Sequence, residues 1–359
     1  MKLKIKSSKG FYELEILNNM NNNILNYLSK TNCLVLVDQN VLKKHKKINS
    51  QLKKFKLIKI KSSEKIKEYS YLKNIIDKIL HFKFKRNHFL VAIGGGIVQD
   101  ITSFIASILF RGVKWVFFPT TLEAQGDSCI GSKTSINFKN KKNQIGTFYP
   151  PSKIYVSNNL LDTLPKAHIY SGIGEMLHYF VFSKKDLFFF LKNLDSALSQ
   201  KSNLLNEYIF RSLKIKKKVI ERDEFDLNER NLFNFGHTFG HALETYFKFK
   251  LPHGKCVAIG IDIANYVSYR IGKLNKDKRN ILQKAIIKIV PELNNLKKVD
   301  VEKFIKYLRN DKKSEIGYHN IILMYDFGKI IKFRQKDNKF FKEILKDYFD
   351  KKIYLNQVI

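Results

Sequence analysis

His237 and His241 stand four residues apart in RNLFNFGHTFGHALE (230–244), and His253 follows between Pro252 and Gly254. Spacing of four puts both imidazoles on one side of a helix. Glu175 lies upstream, three residues before His178. One carboxylate and two imidazoles, with a fourth position left open, form the donor set of a catalytic zinc site. A lone histidine on an apolar face is usually structural. A helical pair with a third beside a proline turn makes metal binding the better reading. The residue types alone leave open which of these histidines bind the ion.

A second group of residues lies nearer the start. GGGIVQD (94–100) separates the strand-like FLVAI from a helical segment. Glycines there permit a tight turn and close backbone approach, and a helix N-terminus favours a pyrophosphate. The pattern is not GxGxxG, so a plain strand–helix turn is an equal reading. Asp38 ends an earlier strand, where a carboxylate can accept hydrogen bonds from an adenosine ribose. Thr120 and Thr121 follow another strand end and offer hydroxyls to the same cofactor. Lys133, Lys142 and Asn143 share a polar segment with Asp127. Two cations and an amide suit a phosphate, since lysine acts as a strong point charge. In so lysine-rich a chain, a solvated basic loop is an equal reading.

The elements that must position these groups follow from the apolar pattern. Residues 33–41 (CLVLVDQNV), 56–60, 89–93 (FLVAI) and 115–118 (WVFF) read as strands, with helical spacing over 62–80 and 101–110. Strand–helix alternation implies a mostly parallel sheet with crossover helices. From about residue 158 long helical periods dominate, over 170–193, 202–224, 232–247 and 253–269. The amphipathic end, 340–359, reads as a last helix. The expected organisation is an α/β domain over 1–157 and an all-α domain over 158–359.

Composition narrows the partners. The formal charge is +34, from 66 Lys and Arg against 32 Asp and Glu. The excess is mostly lysine, is spread along the chain and accompanies abundant Asn and Ile, which share A/T-rich codons with it. No helix-turn-helix, zinc-finger or RNA-binding pattern is present, so no nucleic-acid partner is expected. The charge favours anionic substrates by long-range attraction. Cys33, Cys129 and Cys256 form no metal or redox spacing, which suits a reducing compartment. The opening MKLKIKSSKGFYELEI reads as a strand and lacks the apolar run of a signal peptide. No run approaches the length of a membrane span. A cytoplasmic location with no membrane partner is expected.

Taken in order along nearly the whole chain, from Asp38 to Lys313, these motifs resemble the 3-dehydroquinate synthase family of sugar phosphate cyclases. The resemblance implies an N-terminal Rossmann-like NAD-binding domain, a C-terminal helical metal-binding domain and a homodimer. It implies Zn2+, which Co2+ could replace, on Glu175, His237 and His253. It implies NAD at Asp38, Glu64, Lys67, Gly95, Gly96, Asp100, Thr120 and Thr121. Substrate-site positions are Asp127, Lys133, Lys142, Asn143, Lys216, Arg230, Asn234, His241 and Lys312. Arg111 matches an arginine that reaches the phosphate in the partner subunit's site. The implied reaction takes a phosphorylated keto acid, 3-deoxy-D-arabino-heptulosonate 7-phosphate, to 3-dehydroquinate and phosphate. It proceeds by transient oxidation, phosphate elimination, reduction and intramolecular aldol closure, within the shikimate pathway of aromatic amino acid biosynthesis.

The chain departs from the family's pattern at several positions. His178 stands where the family usually has a substrate-pocket lysine, and histidine is shorter and can be neutral at pH 7. Gln99 and Ser132 stand where glycine is usual, and Gln99 would be expected to crowd the pyrophosphate turn. Glu123 replaces an apolar residue. These changes leave open a cyclase for another sugar phosphate. A metal-dependent polyol or glycerol phosphate dehydrogenase is a further alternative, one that would not need the Lys133, Lys142 and Lys216 set.

Overall fold

The structure, a computed structural model, describes residues 1–17, 20–139, 141–200, 202–291, 299–309 and 316–350. Lys312 and the last nine positions of the expected terminal helix lie outside the described residues. The chain divides into two compact units, Met1–Pro165 with Leu205–Phe225, and Lys166–Leu204 with Asp226–Ile359.

The first unit is built on a seven-stranded sheet. Its strands are β1 (Lys2–Ser7), β2 (Gly10–Ile16), β3 (Cys33–Asp38), β4 (Leu57–Ile60), β5 (Phe89–Gly94), β6 (Trp115–Pro119) and, after a small hairpin of β7 (Ile136–Phe138) and β8 (Lys141–Ile145), β9 (Lys153–Val156). The order across the sheet is β1-β2-β9-β6-β5-β3-β4. Within the seven-stranded sheet only the β1–β2 pair is antiparallel. The single polar-apolar alternation at the N-terminus is thus two strands, reversed at Gly10 with φ +102. The central strands are unbroken apolar runs because both faces are covered. Val35, Val37, Val91, Ile93, Val116 and Phe118 form part of one core with Ile24, Leu28, Ile48 and Leu52.

The direction in which successive strands are added reverses between β3 and β5. Their carboxyl ends lie side by side, since Val37 pairs with Ile93. Asp38 and Gly94 are the next residues. In open parallel sheets, ligands bind outside the strand ends at this kind of reversal. The helix Gly96–Ile108 starts immediately after it, and no side chain caps its first turn.

Among the described residues, the second unit is helical apart from one hairpin. Its helices include Lys166–Phe180, Lys184–Leu198, His237–Tyr246, His253–Arg270, Lys276–Ile289, Val301–Arg309 and Lys339–Asp350. The expected helix over 170–193 is two helices. Ser183 accepts a hydrogen bond from the Asp186 N–H and caps the second. The hairpin, β10 (Tyr318–Asp326) and β11 (Lys329–Lys336), was not expected from the sequence. Its buried run Ile321–Met324 is too short for periodicity to separate a strand from a helix segment. Among the described residues, no helix is long and apolar enough to cross a membrane.

Glycines set how closely the ligand-bearing helices approach. A Cβ on Gly254 would lie 1.9 Å from the Ser171 carbonyl oxygen, and one on Gly260 would lie 2.0 Å from that of Gly236. Gly236 itself has φ +81 and precedes His237. Backbone is therefore packed against backbone where His237 and His253 begin their helices. Gly260→Ala should lower the unfolding free energy by about 3 kcal/mol through overpacking. Chemical denaturation measures this, and an unchanged midpoint would contradict such close packing.

Candidate functional site

In the second unit, Glu175 sits on the helix Lys166–Phe180 with its carboxylate buried. Its Oε1 lies 3.3 Å from His237 Nε2, and its Oε2 lies 3.4 Å from His253 Nε2. Oε2 is buried and takes part in no hydrogen bond. Ligand atoms of the three residues fall within 4.8 Å of one another. Burial alone would raise the Glu175 pKa. The neighbouring His237, His253 and His178 outweigh it and hold the carboxyl well below the usual range.

The far side of each imidazole is also engaged. His253 Nδ1 is 3.2 Å from Glu244 Oε2, and His237 Nδ1 is 3.3 Å from the Phe235 carbonyl. Donation from Nδ1–H to these acceptors leaves both Nε2 lone pairs on the side of Glu175. This is how metal-binding histidines are usually oriented. With the buried Oε2 lacking a hydrogen bond, the donor set fits a divalent ion of the zinc type. A second trio, His241, Glu244 and His253, also lies within 4.8 Å. There Glu244 faces the opposite nitrogen of His253, and His241 is exposed. The His241 ring stacks on His253 at 5.7 Å between centroids. Sequence spacing gave His241 equal standing with His237; the three-dimensional arrangement separates them.

His178 is buried. Its Nδ1 contacts the Glu175 backbone oxygen and lies 3.6 Å from Glu175 Oε1. Its ring meets His237 edge-on at 4.9 Å. Arg230 is buried at the start of the 3-10 helix Glu229–Asn234, whose Asn234 donates to the Asn231 carbonyl at 2.7 Å.

In the first unit the predicted cofactor residues fall into two clusters. At the sheet reversal, Asp38 accepts from the Asn40 N–H at 2.7 Å, so its carboxylate also caps a helix. The Thr120 N–H binds the Gly94 carbonyl at 2.9 Å, and Thr121 Oγ1 accepts from the Ala124 N–H at 3.2 Å. A Cβ on Gly95 would press on Thr121 at 2.9 Å, whereas one on Gly96 would meet nothing within 4 Å. The helix start is therefore open at Gly96, which fits a pyrophosphate approaching the bare N–H groups. Gln99 does not crowd this turn. Its amide donates to the Ser128 carbonyl at 2.7 Å and accepts from Ser128 Oγ at 2.6 Å.

The second cluster joins Glu64, Lys67, Asp100 and Asn143. Lys67 Nζ lies 2.7 Å from Asp100 Oδ2 and donates to Asn143 Oδ1 at 3.0 Å. Lys142 reaches within 4.0 Å of Glu64 Oε2. Ser135 and Asn137 complete the network, and the sequence motifs did not single them out. Their only signal is a short polar residue on each side of the buried Ile136.

Asp127 belongs to a π-helical turn, Ala124–Ser128, of a kind frequent at functional sites. Lys216, on the helix Ser202–Ile220, donates to both Asp127 Oδ1 and its carbonyl at 2.7 Å. Lys133 and Lys142 are exposed. Ser132 has φ +65, a left-handed conformation in which glycine is the unstrained residue. Phe110, Arg111 and Gly112 run through φ +49, +63 and +119, and Arg111 is exposed at that turn.

Family models for the 3-dehydroquinate synthase N-terminal and C-terminal regions match residues 57–171 and 172–314. The 3-dehydroquinate synthase of Dictyoglomus thermophilum is 38% identical over 276 residues, covering 76% of this chain and 77% of that protein. The chain belongs to the 3-dehydroquinate synthase family. The Pelagibacter ubique member is 34% identical over 344 residues, covering 91% of this chain and 93% of its own. The family fold extends to a solved 2-deoxy-scyllo-inosose synthase complexed with carbaglucose-6-phosphate, NAD+ and Co2+. That structure matches with a TM-score of 0.83 at 20% identity, over 97% of this chain and 99% of that one.

Proposed function

We propose that this family member converts 3-deoxy-D-arabino-heptulosonate 7-phosphate to 3-dehydroquinate and phosphate. The observation that carries the reading is the Glu175–His237–His253 cluster, with its carboxylate buried and its imidazoles half-buried, complete within a chain 38% identical to a protein named for that activity. In this reading these three residues hold Zn2+, or Co2+ in its place, and the first unit holds NAD. When bound, the ion would supply a Lewis acid and NAD a reversible hydride acceptor.

The chain's own residues do the rest. Gly95 and Gly96 admit the pyrophosphate to the helix start. Asp38, Thr120 and Thr121 line the strand ends, and Glu64, Lys67 and Asp100 form the neighbouring ion-paired group. Lys133, Lys142 and Asn143 attract the substrate phosphate, and Arg111 extends toward a partner subunit's phosphate in a homodimer. Asp127 fixes the Lys216 ammonium through two hydrogen bonds, so its charge is placed before the substrate arrives. Arg230 and Asn234 receive the substrate carboxylate, the arginine through its planar fork. His241, beside the metal residues, is placed to shuttle protons, and Lys312 is assigned to the substrate by its motif. Three free cysteines support a cytoplasmic setting.

His178 gives one reason to test the substrate directly. It leans on Glu175, where a family lysine would extend a fixed cation. Phosphate release from a panel of sugar phosphates, with NAD and Zn2+ present, should be fast for the seven-carbon keto acid. It should be at least tenfold slower for glucose 6-phosphate and sedoheptulose 7-phosphate, about 1.4 kcal/mol of discrimination or more. The opposite order would assign the chain to another sugar phosphate.

A further inference from the structure

Asn137 is buried in β7, and both ends of its amide are in use. Its Nδ2 donates to Glu64 Oε1 at 3.0 Å and to the Glu64 carbonyl at 3.1 Å. Its Oδ1 accepts from the Asn143 N–H at 3.0 Å. Asn143 has φ +54, and its own Oδ1 accepts from Lys67 Nζ at 3.0 Å and from Ser135 Oγ at 2.9 Å. Lys67 also pairs with Asp100 at 2.7 Å and lies 3.8 Å from Glu64. The contacts close a ring: Asn137 to Glu64, Glu64 to Lys67, Lys67 to Asn143, Asn143 back to Asn137.

We propose that Asn137 is a positioning residue that couples dinucleotide binding to binding of the phosphorylated substrate. The inference rests on the assignment above of Glu64, Lys67 and Asp100 to NAD and of Asn143 to the substrate. A buried amide with its donors and acceptor satisfied has one favourable orientation, because turning it leaves buried polar groups unpaired. A ligand that fixes Glu64 therefore fixes the Asn137 amide, and the amide fixes the backbone of Asn143. Ordering Asn143 through the substrate acts on Glu64 by the same route. Linkage requires the two effects to be equal, and couplings of this sort change affinity by about 5- to 150-fold.

The test is calorimetric titration of the metal-loaded protein with NAD. It is run alone and with a saturating carbocyclic phosphonate analogue of the keto-acid phosphate, which cannot eliminate phosphate. In the wild type the analogue should tighten NAD by about fivefold or more. In Asn137→Ala each ligand should still bind alone, and the ratio of the two NAD affinities should fall toward one. Asn137→Asp keeps the size of the side chain and its acceptor toward Asn143 but cannot donate to Glu64. It should lose the coupling as well, and it serves if the alanine variant does not fold. Variants that weaken both ligands while keeping the wild-type ratio would show a merely structural role and overturn the proposal. So would a wild type that binds the two ligands independently. A wild type that binds the analogue but no NAD would instead remove the nucleotide assignment, and the coupling with it.

Discussion

Replacing His237 with alanine should strip the metal and abolish turnover, whereas the same change at His241 should leave the metal in place. Both residues lie on one helix, so loss of helix stability cannot explain a difference between them. His237 Nε2 faces Glu175 Oε1 at 3.3 Å, and the Phe235 carbonyl engages its other nitrogen. His241 stacks against His253 and does not belong to the Glu175 trio. Residues that merely orient a metal ligand are worth about 10- to 100-fold in metal affinity, so removing His237 should cost more than about 100-fold. Metal content of the purified variants and competition with a chelating dye measure it. Stoichiometric zinc in His237→Ala would refute the ligand assignment. Zinc lost from His241→Ala would shift it to the trio of His241, Glu244 and His253.

Arg230→Ala should lower kcat/KM for the keto-acid phosphate by about 30-fold or more. An arginine–carboxylate pair is bidentate, and removing one partner from a buried pair costs roughly 2–5 kcal/mol. With about 1.4 kcal/mol per decade, the lower end already gives that factor. Arg230 is 5% exposed, so water does not readily replace the lost hydrogen bonds. A sugar phosphate with no carboxylate should be far less affected. His178→Lys should raise activity on the keto acid if the histidine only slows the reaction. A protein that ignores the keto acid, processes a neutral sugar phosphate and is indifferent to Arg230→Ala would contradict the carboxylate argument.

Much of this was visible in the sequence, for identifiable reasons. The parallel strands announce themselves because burial on both faces leaves runs such as LVLV and WVFF with no polar interruption. The histidine spacing marks one face of a helix. Spacing cannot show which rings face Glu175: His237 and His253 each present Nε2 to its carboxylate, and His241 does not belong to that trio. Glu244 was hidden for the same reason: its carboxylate meets His253 at Nδ1, the nitrogen turned away from Glu175. Asn137 and Ser135 were hidden because their partners, Glu64, Asn143 and Asp100, are distant or differently spaced in the chain. The hairpin Tyr318–Asp326 with Lys329–Lys336 was missed because a short apolar run has no distinct period. Gln99 was expected to crowd the glycine turn, yet Ser128, far along the chain, holds its amide.

Oxidation within this protein is transient and serves phosphate elimination. The most direct test follows inorganic phosphate and reduced NAD together, with the keto-acid phosphate in large excess over NAD. Phosphate should accumulate far beyond the NAD supplied, while almost no reduced NAD appears. One reduced NAD formed for each substrate consumed, with no phosphate released, would contradict the claim and identify a simple metal-dependent dehydrogenase.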